Sequence, residues 1–399
     1  MRILQVTGTY YPELKFGGPP QKIHALSCQL VKRGHQVQVA TFNSERPYAK
    51  GLEQIDGVGV QYLPWIGKRT WQFPADLSTL LDAVSQADVV HCYGLYNLLC
   101  PIAALIAKRQ KRPYLLEPLG MYVPRARKMR LKSIYHRLFT GWMARGATKL
   151  IATSPAEAKE LSSLVDNDHL VLRRNGIDLA LFQRLPSGSD FRSAYNIGDK
   201  RIILYIGRIS PIKNLEQLIT AFHRAALKNT VLVLVGPMLE ADYAAEVRAR
   251  IADLNLGDNV RLVGPLYNHQ KLAALAAADL FVLPSLYESY GNVAAEAVAA
   301  GVPVLLTEVC GIAPLIHGRA GLSVPLQTDA LADGLHMMID DSEQRAAWTG
   351  KRADVLAELS WEKPLEQLEL LYRSVTEDPS LHSHHTERNS DLALERKQL

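Results

Sequence analysis

The sequence predicts an α/β protein made of two Rossmann-like domains, each with a doubly wound parallel sheet. At 399 residues the chain is too long for one ordinary hydrophobic core. Short β-branched or aliphatic runs alternate with amphipathic stretches, which is the pattern of βαβ units. The alternation occurs twice, and a segment rich in Pro, Gly, Ser and Asp, residues 184–200, separates the two series.

The strands follow from the aliphatic runs, taken in chain order. The first series predicts strands at residues 3–6, 37–41, 58–63, 88–92, 114–116, 150–152 and 170–172. The second series predicts strands at residues 202–206, 231–235, 260–263, 280–283, 304–306 and 321–324. We therefore expect an N-terminal domain over residues 1–185 and a C-terminal domain over residues 186–360. Residues 376–399 are mostly polar and without helical periodicity, which predicts a disordered tail.

Composition places the chain among ordinary globular proteins, with 48% hydrophobic and 21% charged residues. No apolar run reaches the roughly 18 residues of a membrane-spanning helix, and the first eight residues turn polar too soon for a signal peptide. We expect a cytoplasmic protein. The cysteines lack C-x-x-C spacing and lie in apolar surroundings, so free thiols are expected rather than a disulfide framework or a zinc site. They are Cys28, Cys92, Cys100 and Cys310.

Positive charge is concentrated in residues 108–149, which we call the basic block. Its only acid is Glu117, and its cations are Lys108, Arg109, Lys111, Arg112, Arg125, Arg127, Lys128, Arg130, Lys132, Arg137, Arg145 and Lys149. Such a block favours an anionic partner: nucleic acid, an anionic membrane surface or a phosphorylated acceptor. A solvated basic face without a partner is the alternative, and charge alone does not choose among them.

Glycines follow the first predicted strand of each half. Gly17 and Gly18 precede a helical stretch at residues 21–32, where a phosphate could approach the backbone at the helix N-terminus. The same pair is also compatible with a plain turn. The G-x-G-x-x-G spacing of a dinucleotide fingerprint is missing, which counts against an NAD or FAD enzyme.

Two cations share the loop after the first strand of the second half. Gly207 and Arg208 end that strand, and Lys213 lies just before the next helix. A guanidinium can contact a diphosphate in a bidentate manner and an ammonium adds a compact charge, so the pair suits a nucleoside diphosphate. A solvated surface loop is the alternative.

Two glutamates lie eight positions apart where a later loop meets a helix. Glu288 is in the loop, and Glu296 is in a helix of small residues that begins near Asn292 and Val293. The free amides of that helix end attract phosphate. Glu296 is placed to accept ribose hydroxyls, whereas Glu288 is placed to reach a sugar. Favourable placement near a positive helix end is the structural alternative for Glu296.

Together these motifs resemble the family 4 retaining glycosyltransferases of the GT-B fold. The resemblance extends to about residue 375, and its most specific part is the E-x7-E segment followed by an A-x-G-x-P-V run. The motifs are Gly17-Gly18, Asn175-Gly176-Ile177-Asp178, Gly207-Arg208, Lys213-Asn214, the segment from Glu288 to Glu296, and Gly301-Val302-Pro303-Val304.

The resemblance implies roles for these residues in a donor site facing a central cleft. Arg208 and Lys213 would hold the diphosphate and Glu288 the transferred sugar, as the catalytic set. The donor-binding set would be Gly17, Gly18, Gly207, Asn292, Val293 and Glu296. It also implies a final helix, residues 361–375, that crosses back to the N-terminal domain.

One feature departs from the family. Many relatives place a histidine after the strand that corresponds to residues 114–116, whereas this chain has Glu117. Glu117, Arg125 and Arg127 are therefore the candidates on the acceptor side, and a structural role at a strand end is equally open for Glu117. His91 is expected to be a core or strand-end histidine.

The resemblance implies transfer of a sugar from a nucleoside diphosphate sugar to an acceptor hydroxyl with retention of anomeric configuration. We expect a glycan or lipid-linked acceptor, contact with an anionic membrane and no nucleic acid. No metal or other cofactor is expected, because cations and a helix end can stabilise the leaving diphosphate. The alternatives are a sugar-nucleotide epimerase or hydrolase of the same fold, and a non-catalytic binding protein recruited to membranes.

Overall fold

The structure, a computed structural model, describes residues 1–14, 17–68, 71–123 and 129–377. The chain divides into two compact units. Unit 1 contains the described residues of Met1–Leu14, Pro19–Arg174 and Glu362–Leu399, and unit 2 contains those of Lys15–Gly18 and Asn175–Trp361. The division therefore falls after Arg174, before the boundary at residue 185 that composition indicated.

Unit 1 contains a largely parallel sheet with helices between its strands. Its strands are β1 (Arg2–Thr7), β2 (Gln36–Thr41), β3 (Gly51–Ile55), β4 (Val58–Tyr62), β5 (Trp65–Lys68), β6 (Trp71–Pro74), β7 (Val89–Tyr93), β8 (Tyr114–Glu117), β9 (Lys149–Ala152) and β10 (Leu170–Leu172). Its helices up to Arg174 include α1 (Gly18–Lys32), α2 (Leu77–Gln86), α3 (Leu99–Arg109), α4 (Met129–Tyr135), α5 (Gly141–Gly146) and α6 (Pro155–Leu161). The sheet order is β10-β9-β8-β7-β1-β2-β4-β3, and strand order reverses between β1 and β7.

Every strand predicted for the first half is present, and three further strands were not predicted. Strand β3 is almost wholly exposed, so it lacks the apolar pattern by which strands are recognised. It pairs antiparallel with β4 through the two-residue turn Asp56-Gly57, whose φ angles of 51° and 82° suit an Asp-Gly hairpin. Strands β5 and β6 form a separate two-stranded ribbon.

Unit 2 contains a six-stranded sheet in which every pairing is parallel. Its strands, all predicted, are β11 (Arg201–Ile206), β12 (Thr230–Val235), β13 (Val260–Gly264), β14 (Leu280–Leu283), β15 (Val304–Thr307) and β16 (Gly321–Val324). Its helices include α7 (Gly188–Ala194), α8 (Leu215–Ala225), α9 (Ala241–Asp253), α10 (Asn268–Ala277), α11 (Asn292–Ala299), α12 (Ala313–Ile316), α13 (Thr328–Asp340) and α14 (Ser342–Leu359). The order β13-β12-β11-β14-β15-β16 is that of a dinucleotide-binding Rossmann sheet, reversing between β11 and β14.

The segment over residues 184–200 belongs to unit 2. It contains α7, whose Phe191 is buried in the core of that unit. Gly188 lies so close to α10 that a Cβ there would come within 2.8 Å of the Cα of Ala277. The Pro, Gly and Ser residues of this segment therefore lie at the start of a tightly packed helix.

The last described helix, α15 (Glu362–Glu377), packs on unit 1 through Leu365, Leu368, Tyr372 and Val375. It ends two residues beyond the predicted helix, so residues 376 and 377 of the predicted tail are helical. The rest of that tail, residues 378–399, lies outside the described residues. Within the part of the chain that the structure describes, no helix is long and apolar enough to cross a membrane.

A tight backbone contact joins the ends of β11 and β12. Gly236 has a φ of 152°, and a Cβ at this position would lie 1.7 Å from the carbonyl oxygen of Gly207. We expect Gly236→Ala to lower the free energy of unfolding by about 1–3 kcal/mol, because the added methyl group must displace backbone. Thermal unfolding measures the effect. Gly257→Ala is the matched control, since nothing lies within 4 Å of a Cβ there, and equal melting temperatures of both variants would contradict the contact.

Candidate functional site

The point where strand order reverses in unit 2 brings two loops together. The loops follow β11 and β14, at residues 207–214 and 284–291, and the two strands are neighbours in the sheet. The amide of Leu286 donates to the carbonyl of Ile212 at 2.9 Å, and Nδ2 of Asn214 donates to the carbonyl of Pro284 at 3.2 Å. In doubly wound sheets ligands bind beyond the carboxyl ends of the strands at this reversal.

Lys213 and Glu288 form an ion pair across these two loops, with side chains 14% and 21% exposed. Lys213 ends a short 3-10 helix, and Asn214 follows it in the left-handed conformation that asparagine tolerates. The backbone carbonyl of Glu288 accepts from the amide of Gly311 at 2.9 Å, which holds its loop against the segment after β15. The structure thus joins two predicted site residues that are 75 positions apart in sequence.

Arg208 lies on the first of these loops with an exposed side chain. Its carbonyl accepts from the Tyr205 hydroxyl at 2.9 Å, which fixes the backbone where the strand ends. Gly17 belongs to the same unit, and a Cβ built on it would lie 3.4 Å from Nε of Arg208. Gly17, Gly207 and Arg208 are therefore neighbours, with a glycine where a side chain would crowd the guanidinium.

Helix α11 begins at the second loop. Its N-cap, Gly291, has a φ of 106°, and small residues bury its inner face. Oδ1 of Asn292 accepts from Nδ2 of Asn175 at 2.9 Å, and a Cβ on Gly18 would lie 3.6 Å from Nδ2 of Asn292. Asn292 and half-buried Val293 thus occupy the first turn of α11, next to the loop that follows β14.

Glu296 has a partner that sequence patterns did not reveal. Nζ of Lys271, on α10, donates to its two carboxylate oxygens at 2.8 and 2.9 Å. Both side chains are 12% exposed. Lys271 lies on a different helix 25 positions away, and no motif in the sequence links it to Glu296. The carboxylate is thus held by a specific ammonium in addition to its place near the start of α11.

Glu117 is fully buried at the end of β8 in unit 1 and is ion-paired with Lys22 and Arg173. Burial raises the pKa of Glu117, but the charges of Lys22 and Arg173 more than offset this and hold it at about 2. Burial lowers the pKa of neighbouring His91 to about 3, so its ring is neutral. The structure favours the structural role for Glu117, since no part of its side chain is exposed to an acceptor. His91 is a core histidine, as expected, and its Nδ1 lies 2.8 Å from the hydroxyl of Tyr372.

The basic block is described only in part, and Arg125, Arg127 and Lys128 lie outside the described residues. Beyond them, Tyr135 is buried and its hydroxyl donates to the carbonyl of Asn97 at 2.9 Å. The opposite face of the helical segment exposes large apolar side chains among cations. These are Leu131, Ile134 and Leu138, at 39%, 48% and 54% exposure, beside exposed Arg130 and Arg137.

Both units match known glycosyltransferase families. Residues 189–353 match the family described as glycosyl transferases group 1, and residues 17–176 match the glycosyl transferase 4-like domain. Among curated proteins, a D-inositol 3-phosphate glycosyltransferase of Kineococcus radiotolerans is 27% identical over 91% of each chain. An uncharacterized glycosyltransferase of Methanocaldococcus jannaschii is 26% identical over 94% of this chain and 99% of its own.

Solved structures share the fold at low sequence identity. The Anabaena protein HepE, in complex with UDP and glucose, superposes with a TM-score of 0.75 at 21% identity, covering 94% of this chain and all of its own. Sucrose-phosphate synthase of Thermosynechococcus elongatus gives a TM-score of 0.75 at 24% identity, covering 94% of this chain and 98% of its own. The fold is the GT-B type that the resemblance implied.

The buried charge cluster of unit 1 makes the role of Glu117 testable. Glu117→Gln leaves Lys22 and Arg173 as uncompensated buried charges, so we expect a loss of about 3–5 kcal/mol in the free energy of unfolding. Denaturant unfolding measures it, with Glu366→Gln on the exposed face of α15 as the control. A stable Glu117→Gln variant with weakened acceptor use would instead support an acceptor-side role.

Proposed function

Because this chain belongs to the glycosyl transferases group 1, we propose that it moves a sugar from a nucleoside diphosphate sugar to an acceptor hydroxyl with retention of anomeric configuration. The observation that carries the proposal is the Lys213–Glu288 pair, formed by the two loops at the strand reversal of unit 2. Arg208 adds a second cation to the same loop as Lys213. Two cations beside a carboxylate suit a diphosphate joined to a sugar.

In the proposed reaction, the bond between the anomeric carbon and the diphosphate oxygen breaks as the acceptor oxygen bonds to that carbon. Attack occurs on the face from which the diphosphate departs, and a phosphate oxygen takes the acceptor proton. Arg208 and Lys213 stabilise the negative charge that develops on the leaving diphosphate, together with amides at the start of α11. In this scheme no metal or cofactor takes part.

The remaining donor contacts follow from the same loops. Gly17 and Gly18 leave room for phosphate beside Arg208 and Asn292, and Gly207 lets the backbone pass close to the Tyr205 hydroxyl where the loop begins. Glu288 contacts the transferred sugar. The ammonium of Lys213 holds the carboxylate of Glu288 in place. Glu296 accepts the ribose hydroxyls, with Lys271 fixing the orientation of its carboxylate.

We also propose that the protein binds its acceptor, a lipid-linked or glycan molecule, at an anionic membrane surface. The segment from Arg130 to Leu138 turns Leu131, Ile134 and Leu138 to the outside while Tyr135 anchors the other face. Exposed cations flank these apolar side chains, and an interfacial helix needs this combination to bind anionic lipid. Nucleic acid would need no such apolar stripe.

The donor site is tested with a panel of UDP-, GDP- and ADP-sugars, beginning with UDP-glucose, which is bound in a HepE structure. A donor at 100 times its Kd should raise the free energy of unfolding by about 2.7 kcal/mol. Arg208→Ala and Lys213→Ala should each lower kcat by roughly 10²- to 10³-fold, because one preorganised charge is lost from the leaving group. Turnover and thermal shift are measured on the same preparations.

Arg224→Ala is the matched control. Arg224 is a cation of unit 2 in the last turn of α8, where it forms an exposed ion pair with Asp329. The control variant should turn over normally. Normal kcat in both loop variants would contradict the diphosphate assignment. Donor consumption that needs no acceptor would instead favour an epimerase or hydrolase, and absence of any donor binding would favour a non-catalytic protein.

Membrane association is tested by sedimentation with vesicles of phosphatidylglycerol and phosphatidylcholine. We expect binding that weakens as salt rises and that Arg130→Gln with Arg137→Gln reduces by roughly 10-fold or more, since each cation contributes about 1 kcal/mol. Leu131→Ser with Ile134→Ser and Leu138→Ser should also weaken it.

The control is Leu81→Ser with Leu105→Ser, which removes exposed leucines from α2 and α3 of the same unit. Donor affinity should be unchanged in all these variants. Wild-type protein that stays in the supernatant at low salt would point to an acceptor in solution.

A further inference from the structure

A cluster of three metal-ligating side chains belongs to unit 1, whereas the proposed donor residues belong to unit 2. His24 and Cys28 are on α1, four residues apart and therefore on one helix face. Asp56 is at the Asp-Gly turn between β3 and β4. One ligand atom of each side chain lies within 4.8 Å of the other two.

The three ligand atoms lie near enough to one another to converge on a tetrahedral zinc ion after small side-chain rotations. Bond lengths of about 2.3 Å to sulfur and 2.0–2.1 Å to nitrogen or oxygen give edges of roughly 3.6 Å for S···N and 3.3 Å for N···O. Sγ of Cys28 lies 3.6 Å from Nε2 of His24 and 3.8 Å from its Nδ1, so the sulfur lies over the ring. Rotation of the Cys28 side chain toward the ring edge brings Sγ to the side of Nε2, which lies 2.9 Å from Oδ2 of Asp56. The Asp56 side chain is 67% exposed, so its carboxylate can turn toward the sulfur and solvent can reach the site.

Two neighbouring tyrosines hold the imidazole of His24 in place, much as outer-shell partners orient a histidine that binds a metal. The hydroxyl of Tyr10 lies 2.9 Å from Nδ1 of His24, so the ring nitrogen away from the site already has an oxygen partner. The ring of Tyr11 stacks on His24 with centroids 4.2 Å apart and planes 4° apart. The ring plane and the position of Nε2 are thus set by neighbours that do not belong to the ligand set.

We propose that His24, Cys28 and Asp56 form a binding site for a divalent transition-metal ion, with Zn²⁺ as the ion that best suits one thiolate, one imidazole and one carboxylate. Nε2, Sγ and a carboxylate oxygen occupy three positions, the thiol proton is released on binding, and water takes the fourth position. The ion joins α1 to the β3–β4 hairpin. It takes no part in the proposed transfer step, whose residues belong to unit 2.

The site is tested on the full chain freed of metal with a chelator, by Zn²⁺ titration calorimetry and by Co²⁺ absorption. Co²⁺ should give a thiolate charge-transfer band that Cys28→Ser abolishes, because Cys92, Cys100 and Cys310 are buried. His24→Gln and Asp56→Asn should weaken Zn²⁺ binding at least 10-fold, and Asn keeps the positive φ of the turn. Tyr10→Phe should weaken it about 10-fold through the ring orientation.

The chain carries a competing set of histidines in its last residues, His382, His384 and His385. A variant with these three changed to glutamine should keep both the stoichiometric Zn²⁺ site and the Co²⁺ band. Loss of Zn²⁺ binding in that variant would overturn the proposal. So would a Co²⁺ spectrum that Cys28→Ser leaves unchanged, because the cluster would then be only a hydrogen-bonded contact between α1 and the hairpin.

Discussion

The reversal of strand order between β11 and β14 is the constraint on which the proposed donor site depends. Adjacent parallel strands end at the same edge, and their helices leave in opposite directions there, so the two following loops face a common space. In this chain those loops carry Arg208, Lys213 and Glu288. Backbone hydrogen bonds such as that from Leu286 to Ile212 hold the loops side by side, so Lys213 and Glu288 meet across them.

Buried and half-buried ion pairs have different consequences in the two units. In unit 1, the buried carboxylate of Glu117 forms ion pairs with Lys22 and Arg173. Removing its charge would leave the two buried cations unpaired. In unit 2, the Lys213–Glu288 and Lys271–Glu296 pairs retain some exposure. Under the proposed function, the diphosphate, sugar and ribose groups of the donor would replace part of these contacts.

The parallel strands of both sheets could be predicted from the sequence because parallel strands buried on both faces appear as continuous aliphatic runs. Strand β3 was missed since its side chains are exposed, although its Asp56-Gly57 turn is a recognisable hairpin signal. The division between the units was placed late, at residue 185 instead of Arg174, because the Pro-, Gly- and Ser-rich segment proved to contain α7. The composition of a segment indicates where turns occur, but it does not indicate which hydrophobic core the segment packs against.

By itself the sequence determined the fold class, the positions of the parallel strands and the motifs of the proposed donor loops, since those depend on local periodicity and on motifs within a few positions. Only the tertiary structure decided which charges meet. Lys271 reaches Glu296 from another helix, and Glu117 lies between Lys22 and Arg173 from distant segments. The structure also decided that Leu131, Ile134 and Leu138 face outward. An amphipathic pattern gives a helix an apolar face, but packing of the remaining chain determines whether that face is covered.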